Sequence, residues 1–321
     1  MKVSVVTVTY QHERFLAQSL ESALMQRTSF PYEIVLSDDC SSDGTRAIAQ
    51  RYAAEHPESI RLRLPERNLG MTQHTAETIS ACRGEYIANL EGDDYWTHPE
   101  KLQRQADYLD ANPDCSWCFT RAIVVNEAGT QMEVAPALRV VQPKYSLADY
   151  LARRFQPRFC TVMFRRGLFS AFPAWFYEMQ TADFPLHVFN TEAGGSIGFI
   201  DEEMAAYRVH AGGVWSQGIT PGTTPSGSRE QLAQLARRYA NSVQLYETID
   251  RHLAGQERAV LRGQIADFAQ EWSRLNLALG DRRALWASAL AQSRAGDSLR
   301  QRLAPWATYA RSWWTRGSPR G

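Results

Sequence analysis

The feature that most restricts how this chain can fold is the alternation of short β-branched runs with helical patterns over residues 1–112. Residues 3–8 (VSVVTV) form a run of strand length, and residues 13–25 then set Phe15, Leu16, Ser19, Leu20, Ala23 and Leu24 at helical spacing. The order repeats: a strand over 33–37, a helix over 43–55, a strand over 60–64, a helix over 72–82 and a strand over 86–90. Such an order demands crossover connections of one hand, so the expectation is an α/β fold with a mostly parallel central sheet. Ligands of these sheets collect at the carboxyl ends of the strands, where the loops converge.

Three polar stretches fall at such ends. The first strand runs into Thr9, Tyr10 and Gln11, the second into SDDCSSDGT (37–45), and the fourth into LEGDDYW (90–96). The last places Glu91, Asp93 and Asp94 within four residues. Clustered carboxylates repel one another and lose hydration when buried, so a cation or a set of hydrogen-bond donors is expected beside them. Thr97, His98, Pro99 and Glu100 read as a capping box with proline in the first turn of a helix ending near Asn112 and Pro113. Tyr95 and Trp96 read equally as core or as a wall of the ligand crevice.

Composition narrows the partners. The 321 residues are 44% hydrophobic with a formal net charge of zero, which supports a sizeable core and argues against nucleic acid, whose binders carry a basic excess. Five cysteines at irregular spacing suit a reducing compartment. The pair Cys115 and Cys118 has the spacing of half a zinc site, but it lies in a strand-like run without a second pair, and buried thiols are expected. No leader and no apolar run of membrane-spanning length is read, so a cytoplasmic location is expected.

The second half adds one acid in an apolar setting, Asp183 in TADFPLHVF (181–189), which on its own could cap a helix. It also adds Arg208 and His210 in AYRVHAGGVWS (206–216). Residues 217–229, rich in Gly, Thr, Ser and Pro, read as a flexible linker, and 230–321 as a helical appendage. Residues 281–321 hold eight arginines and two aspartates interleaved with Trp286, Trp306, Trp313 and Trp314. That mixture suits either peripheral contact with an anionic membrane face or a dimer contact.

Taken together, VSVVTVTYQHERFLAQSLESALMQ, YEIVLSDDCSSDGT, ERNLG and GEYIANLEGDDYWTHPEKL resemble, in order, the family 2 glycosyltransferases, and the likeness covers roughly residues 2–216. The resemblance implies a GT-A fold, with residues 1–112 handling the nucleotide sugar and 113–216 the acceptor. It implies inverting transfer from a nucleoside diphosphate sugar, a UDP-sugar favoured, to a glycan or lipid-linked acceptor in envelope polysaccharide synthesis, on the inner face of the cell membrane where peripheral contact is made.

The same resemblance assigns roles. Asp183 would be the catalytic base. Asp94, with Asp93 and His210, would ligate Mn²⁺ or Mg²⁺. Thr9, Tyr10, Asp39, Asn68, Gly70, Asp93 and Arg208 would contact the donor, Asp39 reading the base imide N–H, although Asp38 and Asp39 could also simply build an Asx-type turn. The sequence departs from the family at Glu91, where many relatives carry aspartate, and at Gln73 and His74; His74 is expected to be a partly exposed helix residue. Two rivals remain. A sugar nucleotidyltransferase would announce a Gly-rich basic phosphate loop after the first strand, and none is seen. A non-catalytic nucleotide-sugar-binding module would share the fold but release no nucleotide. A dinucleotide site is excluded by the lack of G-x-G-x-x-G.

Overall fold

The computed structural model describes residues 1–133, 141–213, 228–296 and 299–314. The chain divides into two compact units, Met1–Gln217 and Gly218–Gly321.

In the first unit β1 (Val3–Thr9), α1 (Leu16–Leu24), β2 (Tyr32–Asp38), α2 (Thr45–Glu55), β3 (Ile60–Arg63), α3 (Met71–Ser80) and β4 (Tyr86–Glu91) follow the expected alternation. These four strands are parallel, in the order β3-β2-β1-β4. Helices cover both faces of such a sheet, and Val3 and Val5 on one side and Val6 on the other are accordingly all fully buried.

Beyond β4 the sheet changes character. β5 (Tyr95–Trp96), α4 (Lys101–Ala111), β6 (Cys115–Val125), β7 (Lys144–Tyr145), α5 (Leu147–Leu151), β8 (Val162–Arg165), α6 (Asp183–Glu192) and β9 (Ser196–Arg208) continue the order β8-β6-β9-β5, with β7 also on β9. β8 runs antiparallel to both β4 and β6, and β5 and β7 antiparallel to β9, while β6 and β9 are parallel. The expectation of a mostly parallel sheet is therefore corrected to a mixed one: parallel and antiparallel ladders are four of each among the described residues. The strict strand–helix alternation that forces parallel pairing stops at residue 112, and the later connections are not regular helical crossovers.

The expected capping box at Thr97 and Glu100 does not form. Glu100 is itself the N-cap of α4 and its side chain caps nothing. Instead Gln26, from the end of α1, accepts from Leu102 N–H at 3.0 Å and donates to the His98 carbonyl at 2.9 Å, so an orphan helix donor is satisfied from another element. Trp96 is core: it is buried, donates Nε1–H to the Cys160 carbonyl at 2.9 Å, and has the Lys101 amine 4.4 Å from its ring. Cys115 and Cys118 are buried free thiols on β6.

An aromatic cluster holds α6 against β6. Trp117 stacks on His187 with centroids 4.7 Å apart and donates to Thr191 Oγ1 at 2.7 Å, while His187 Nδ1 meets the Tyr150 hydroxyl at 2.9 Å. These contacts fix the helix whose first residue is Asp183.

The second unit contains α7 (Arg229–His252), α8 (Arg258–Leu279), α9 (Arg282–Ala295) and α10 (Leu299–Trp314). The chain enters it through a capping box, Ser228 accepting from Gln231 N–H and Gln231 from Ser228 N–H. Of the expected 217–229 linker, residues 217–227 lie outside the described residues, and 228–229 already belong to α7 and its cap. Val243, Tyr246 and Ile249 of α7 and Leu261, Ile265 and Ala269 of α8 are buried, as their helical spacing requires. No helix among the described residues is long and apolar enough to cross a membrane.

Candidate active site

The end of β1 is clamped between two acidic turns. Asp39 N–H, at the end of β2, donates to the Thr9 carbonyl at 3.0 Å, and Gly92 N–H, after β4, donates to the Val8 carbonyl at 2.9 Å. The loop beyond β1 then turns through Gln11, whose φ of 59° is left-handed. His12 N–H donates to Thr45 Oγ1 at 2.8 Å, which aims the imidazole toward the β4 turn.

In the turn after β2 the acids are satisfied. Asp38, fully buried, accepts from the Ser41 hydroxyl at 2.5 Å and from Arg46 Nε at 3.3 Å. Asp39 accepts from Leu69 N–H at 2.8 Å and Gly70 N–H at 3.0 Å, and Asn68 Nδ2 donates to the Asp39 carbonyl at 2.9 Å. The Asx-type bond in this turn is made by Asp43, which accepts from Thr45 N–H at 3.0 Å, while Asp39, Asn68 and Gly70 form one connected group that docks the loop before α3. Gly70 supports it with φ of 80°. His74 is buried rather than partly exposed, its Nε2 2.7 Å from the Ser37 hydroxyl. Burial pushes its imidazole below the ordinary value.

In the turn after β4 the acids are crowded. One carboxylate oxygen from each of Glu91, Asp93 and Asp94 lies within 4.8 Å of the others. Asp94 is 1% exposed; its Oδ1 accepts from Arg208 N–H at 2.8 Å, and its Oδ2, near the Cys160 thiol, makes no hydrogen bond of ordinary geometry. Burial and the neighbouring Asp93 charge push Asp94 well above the usual carboxylate range, and burial with the charges of Asp93, Asp94 and Asp183 does the same to Glu91. Asp93 goes the other way. Burial would raise it, but the charge of His12 and a hydrogen bond from His210 Nε2, 3.0 Å away, hold it low.

Arg208, at the end of β9, is buried and engaged with protein oxygens. It donates to the carbonyls of Asp93 at 2.9 Å and Glu127 at 3.0 Å and to Gln18 Oε1 at 2.6 Å. It therefore ties the β4 turn to α1 and to the turn after β6, and its charge is fixed beneath the acids. Tyr10 is 47% exposed at the mouth of the β1 loop, and Thr9 is buried with its hydroxyl 3.2 Å from His12 Nδ1.

Asp183 is the first residue of α6, one position past the N-cap, Ala182, so it is not itself the cap. Burial raises its carboxyl above the ordinary value, against hydrogen bonds from the Phe184 and Asp183 N–H groups and Thr181. Its charge is among those that raise Glu91, after burial, Asp93 and Asp94.

The structure thus assembles Asp93, Asp94, His210 and Arg208 with Thr9 around one turn, and sets Asp183 at the head of α6. Asp39, Asn68 and Gly70 form a second group on the other side of β1. His12 was not anticipated. Its signal was its place three residues beyond Thr9 in the same strand-end loop.

The model of the family Glycosyl transferase family 2 matches residues 4–172. This chain belongs to glycosyltransferase family 2. Its sequence is 37% identical over 218 residues to the uncharacterized protein Rv1520 of Mycobacterium tuberculosis, covering 68% of this chain and 62% of that protein. The chain thus spans about three fifths of the length of that relative. Among solved structures, Staphylococcus aureus TarS 1–349 in complex with UDP-GlcNAc superposes with a TM-score of 0.58 at 20% identity, over 98% of this chain and 92% of that one. The mannosyltransferase PcManGT of Pyrobaculum calidifontis, in complex with GDP-Man and Mn²⁺, gives 0.53 at 15% identity over 98% and 88%. At such identities the likeness establishes the fold, that of glycosyltransferases handling nucleotide sugars around a central mixed sheet. The crowded acids of this family 2 glycosyltransferase, with His12 and His210, are a donor set that a divalent cation fits: they are close, oxygen- and nitrogen-bearing, and include a buried carboxylate oxygen without a hydrogen bond.

Proposed function

We propose that the chain transfers a glycosyl group from a nucleoside diphosphate sugar to a hydroxyl of a glycan or lipid-linked acceptor, with inversion at the anomeric carbon. One observation carries this reading: Glu91, Asp93 and Asp94 bring carboxylate oxygens within 4.8 Å of one another at the carboxyl end of β4, where a cation would meet a diphosphate.

Each residue then has a task. Asp183 takes the proton of the acceptor hydroxyl as that oxygen bonds to the anomeric carbon and the carbon–phosphate oxygen bond on the opposite face breaks. Asp93, with Asp94 and His210 beside it, would hold Mn²⁺ or Mg²⁺, whose charge neutralises the departing diphosphate. Arg208 adds fixed positive charge beneath the turn and holds it in shape. Asp39 keeps the Asn68 to Gly70 loop against the strand ends, and its remaining lone pairs can accept the imide of uracil, with Tyr10 flanking the base.

A UDP-sugar is favoured. TarS is known with UDP-GlcNAc and PcManGT with GDP-Man, so the nucleobase is the first variable to test. Incubation with UDP-, dTDP- and GDP-sugars and Mn²⁺, reading nucleotide release with a thermal-shift panel of the diphosphates alongside, should single out one base. No release from any donor, together with metal-dependent stabilisation by a diphosphate, would favour the non-catalytic binding reading. The acceptor is proposed to lie in the cell envelope, with the arginine- and tryptophan-rich end of the second unit making peripheral membrane contact. Trp286, 47% exposed and edge-on to Trp306 at 6.4 Å, is the first residue to vary in a liposome co-sedimentation assay.

A further inference from the structure

We infer that His12 is a direct ligand of the cation, so that the ion is held by two imidazoles and one carboxylate (His12, Asp93 and His210) and Mn²⁺-like ions are preferred over Mg²⁺. The inference rests on the transfer reading above for the cation's purpose, and on the structure for its place.

The ligand atoms of His12, Asp93 and His210 all lie within 4.8 Å of one another. Both imidazoles turn Nε2 toward the same oxygen: His210 Nε2 is 3.0 Å and His12 Nε2 3.6 Å from Asp93 Oδ2. At 3.6 Å the His12 contact is too long for a hydrogen bond, so Asp93 alone does not hold that ring in place. Thr9 does, its hydroxyl 3.2 Å from His12 Nδ1. With Nδ1–H donated to Thr9, the lone pair of Nε2 faces the carboxylate, the orientation in which an outer hydrogen-bond partner presents a histidine to a metal.

The close fit is reserved by the backbone. A Cβ at Gly92 would lie 2.5 Å from Thr9 Oγ1 and 3.0 Å from His12 Nδ1, so only glycine lets the β4 turn approach this pair. His210 is braced separately, 4.9 Å from the Phe15 ring. Two imidazoles are therefore positioned by groups that are not themselves ligands.

The alternative set, Glu91, Asp93 and Asp94, shares Asp93 but is less available. Asp94 has one oxygen committed to Arg208 N–H and is nearly inaccessible. The two sets also differ in chemistry: an all-carboxylate site suits Mg²⁺, whereas two imidazole nitrogens favour Mn²⁺, Co²⁺ or Zn²⁺.

Pulsed EPR of the full chain loaded with Mn²⁺, with and without UDP, tests this directly. Two coupled ¹⁴N nuclei are expected in the wild type and one in either His12→Gln or His210→Gln. Equilibrium titration should show Mn²⁺ binding weakened ~10-fold or more by His12→Gln, with the preference for Mn²⁺ over Mg²⁺ reduced. The wild-type spectrum stands even if a variant fails to fold. One nitrogen in the wild type, no Mn²⁺ binding, or an unchanged affinity in His12→Gln with a loss in Asp94→Asn would overturn the inference. Two nitrogens together with no nucleotide released from any donor would leave the metal site standing and remove the transfer reading instead.

Discussion

The turns after β2 and β4 have similar compositions and opposite electrostatics. In the first, Asp38 and Asp39 are as buried as any residue of the core, yet each oxygen finds a donor: Ser41 and Arg46 for Asp38, the Leu69 and Gly70 N–H groups for Asp39. In the second, Glu91, Asp93 and Asp94 face each other, and two of the three are pushed toward protonation. Buried carboxylates with donors are structural; buried carboxylates without them store an unfavourable interaction that a cation relieves. The acids of the β2 turn are thus held by protein donors, and those of the β4 turn are the ones left for a cation to answer.

The largest effect that could break this contrast is on turnover. Asp183→Asn is expected to lower kcat by on the order of 10²- to 10⁴-fold with little change in nucleotide affinity, and in the wild type the acidic limb of the rate profile should lie above 3.8, the ordinary aspartate value, because burial raises this base. A variant retaining wild-type rates in a steady-state assay would remove Asp183 from the reaction.

Next is a divergence between the turns. Asp93→Asn should abolish metal-dependent stabilisation by the diphosphate while leaving the unliganded melting temperature nearly unchanged. Asp38→Ala should do the reverse, costing about 2 kcal/mol in denaturant unfolding by stranding the Ser41 hydroxyl and the backbone it organises. If both variants lost stability equally, the β4 acids would be structural after all.

The pH dependence sharpens the same point. Glu91 has a raised folded-state pKa, so the folded protein binds the extra proton and stability falls as pH rises from about 4.5, the ordinary glutamate value, through the folded value. Glu91→Gln, measured in chelator, should therefore be more stable than wild type at pH 8 and equal to it below pH 4. Glu33 gives the opposite sign. Burial would raise it, but Arg83, Ser4 and Arg61 hold it at about 2, so its contribution, up to about 3 kcal/mol, is present above pH 4.5 and lost as pH falls toward 2. Glu33→Gln should thus destabilise at neutral pH and converge with wild type in acid.

The smallest expected effect is at the rim. Tyr10→Ala should weaken nucleotide binding by roughly 1 kcal/mol, the lower end of base–aromatic stacking, without altering the melting temperature, since the side chain is exposed. Isothermal titration with UDP would read it.

Much of the first 112 residues was legible because hydrophobic period and turn chemistry agree there. Strands and helices fall within a few residues of their expected places, and both acidic turns lie at the strand ends where a parallel sheet must put them. Less was legible beyond that point. The antiparallel ladders of β8, β5 and β7 depend on partners far apart in sequence, such as Tyr95 with Ala206, and no local pattern specifies them. The capping box at α4 does not form for a related reason: Thr97 N–H donates to the Met204 carbonyl at 3.0 Å, more than a hundred residues away, and Glu100 N–H to His98 Nδ1 at 3.1 Å. His74, on α3, is buried rather than partly exposed because its partner, Ser37, comes from β2, a separate element.

What the sequence by itself determined is the alternation that forces a parallel half-sheet, the acids that must be answered by positive charge or donors, and the kind of chemistry such a crevice carries. Only the tertiary structure decided which acids are answered and which are not, and that His12 joins Asp93 and His210. The reason is physical: a carboxylate's role depends on its neighbours within a few ångströms, and here those neighbours come from β1, β4 and β9, brought together by folding alone.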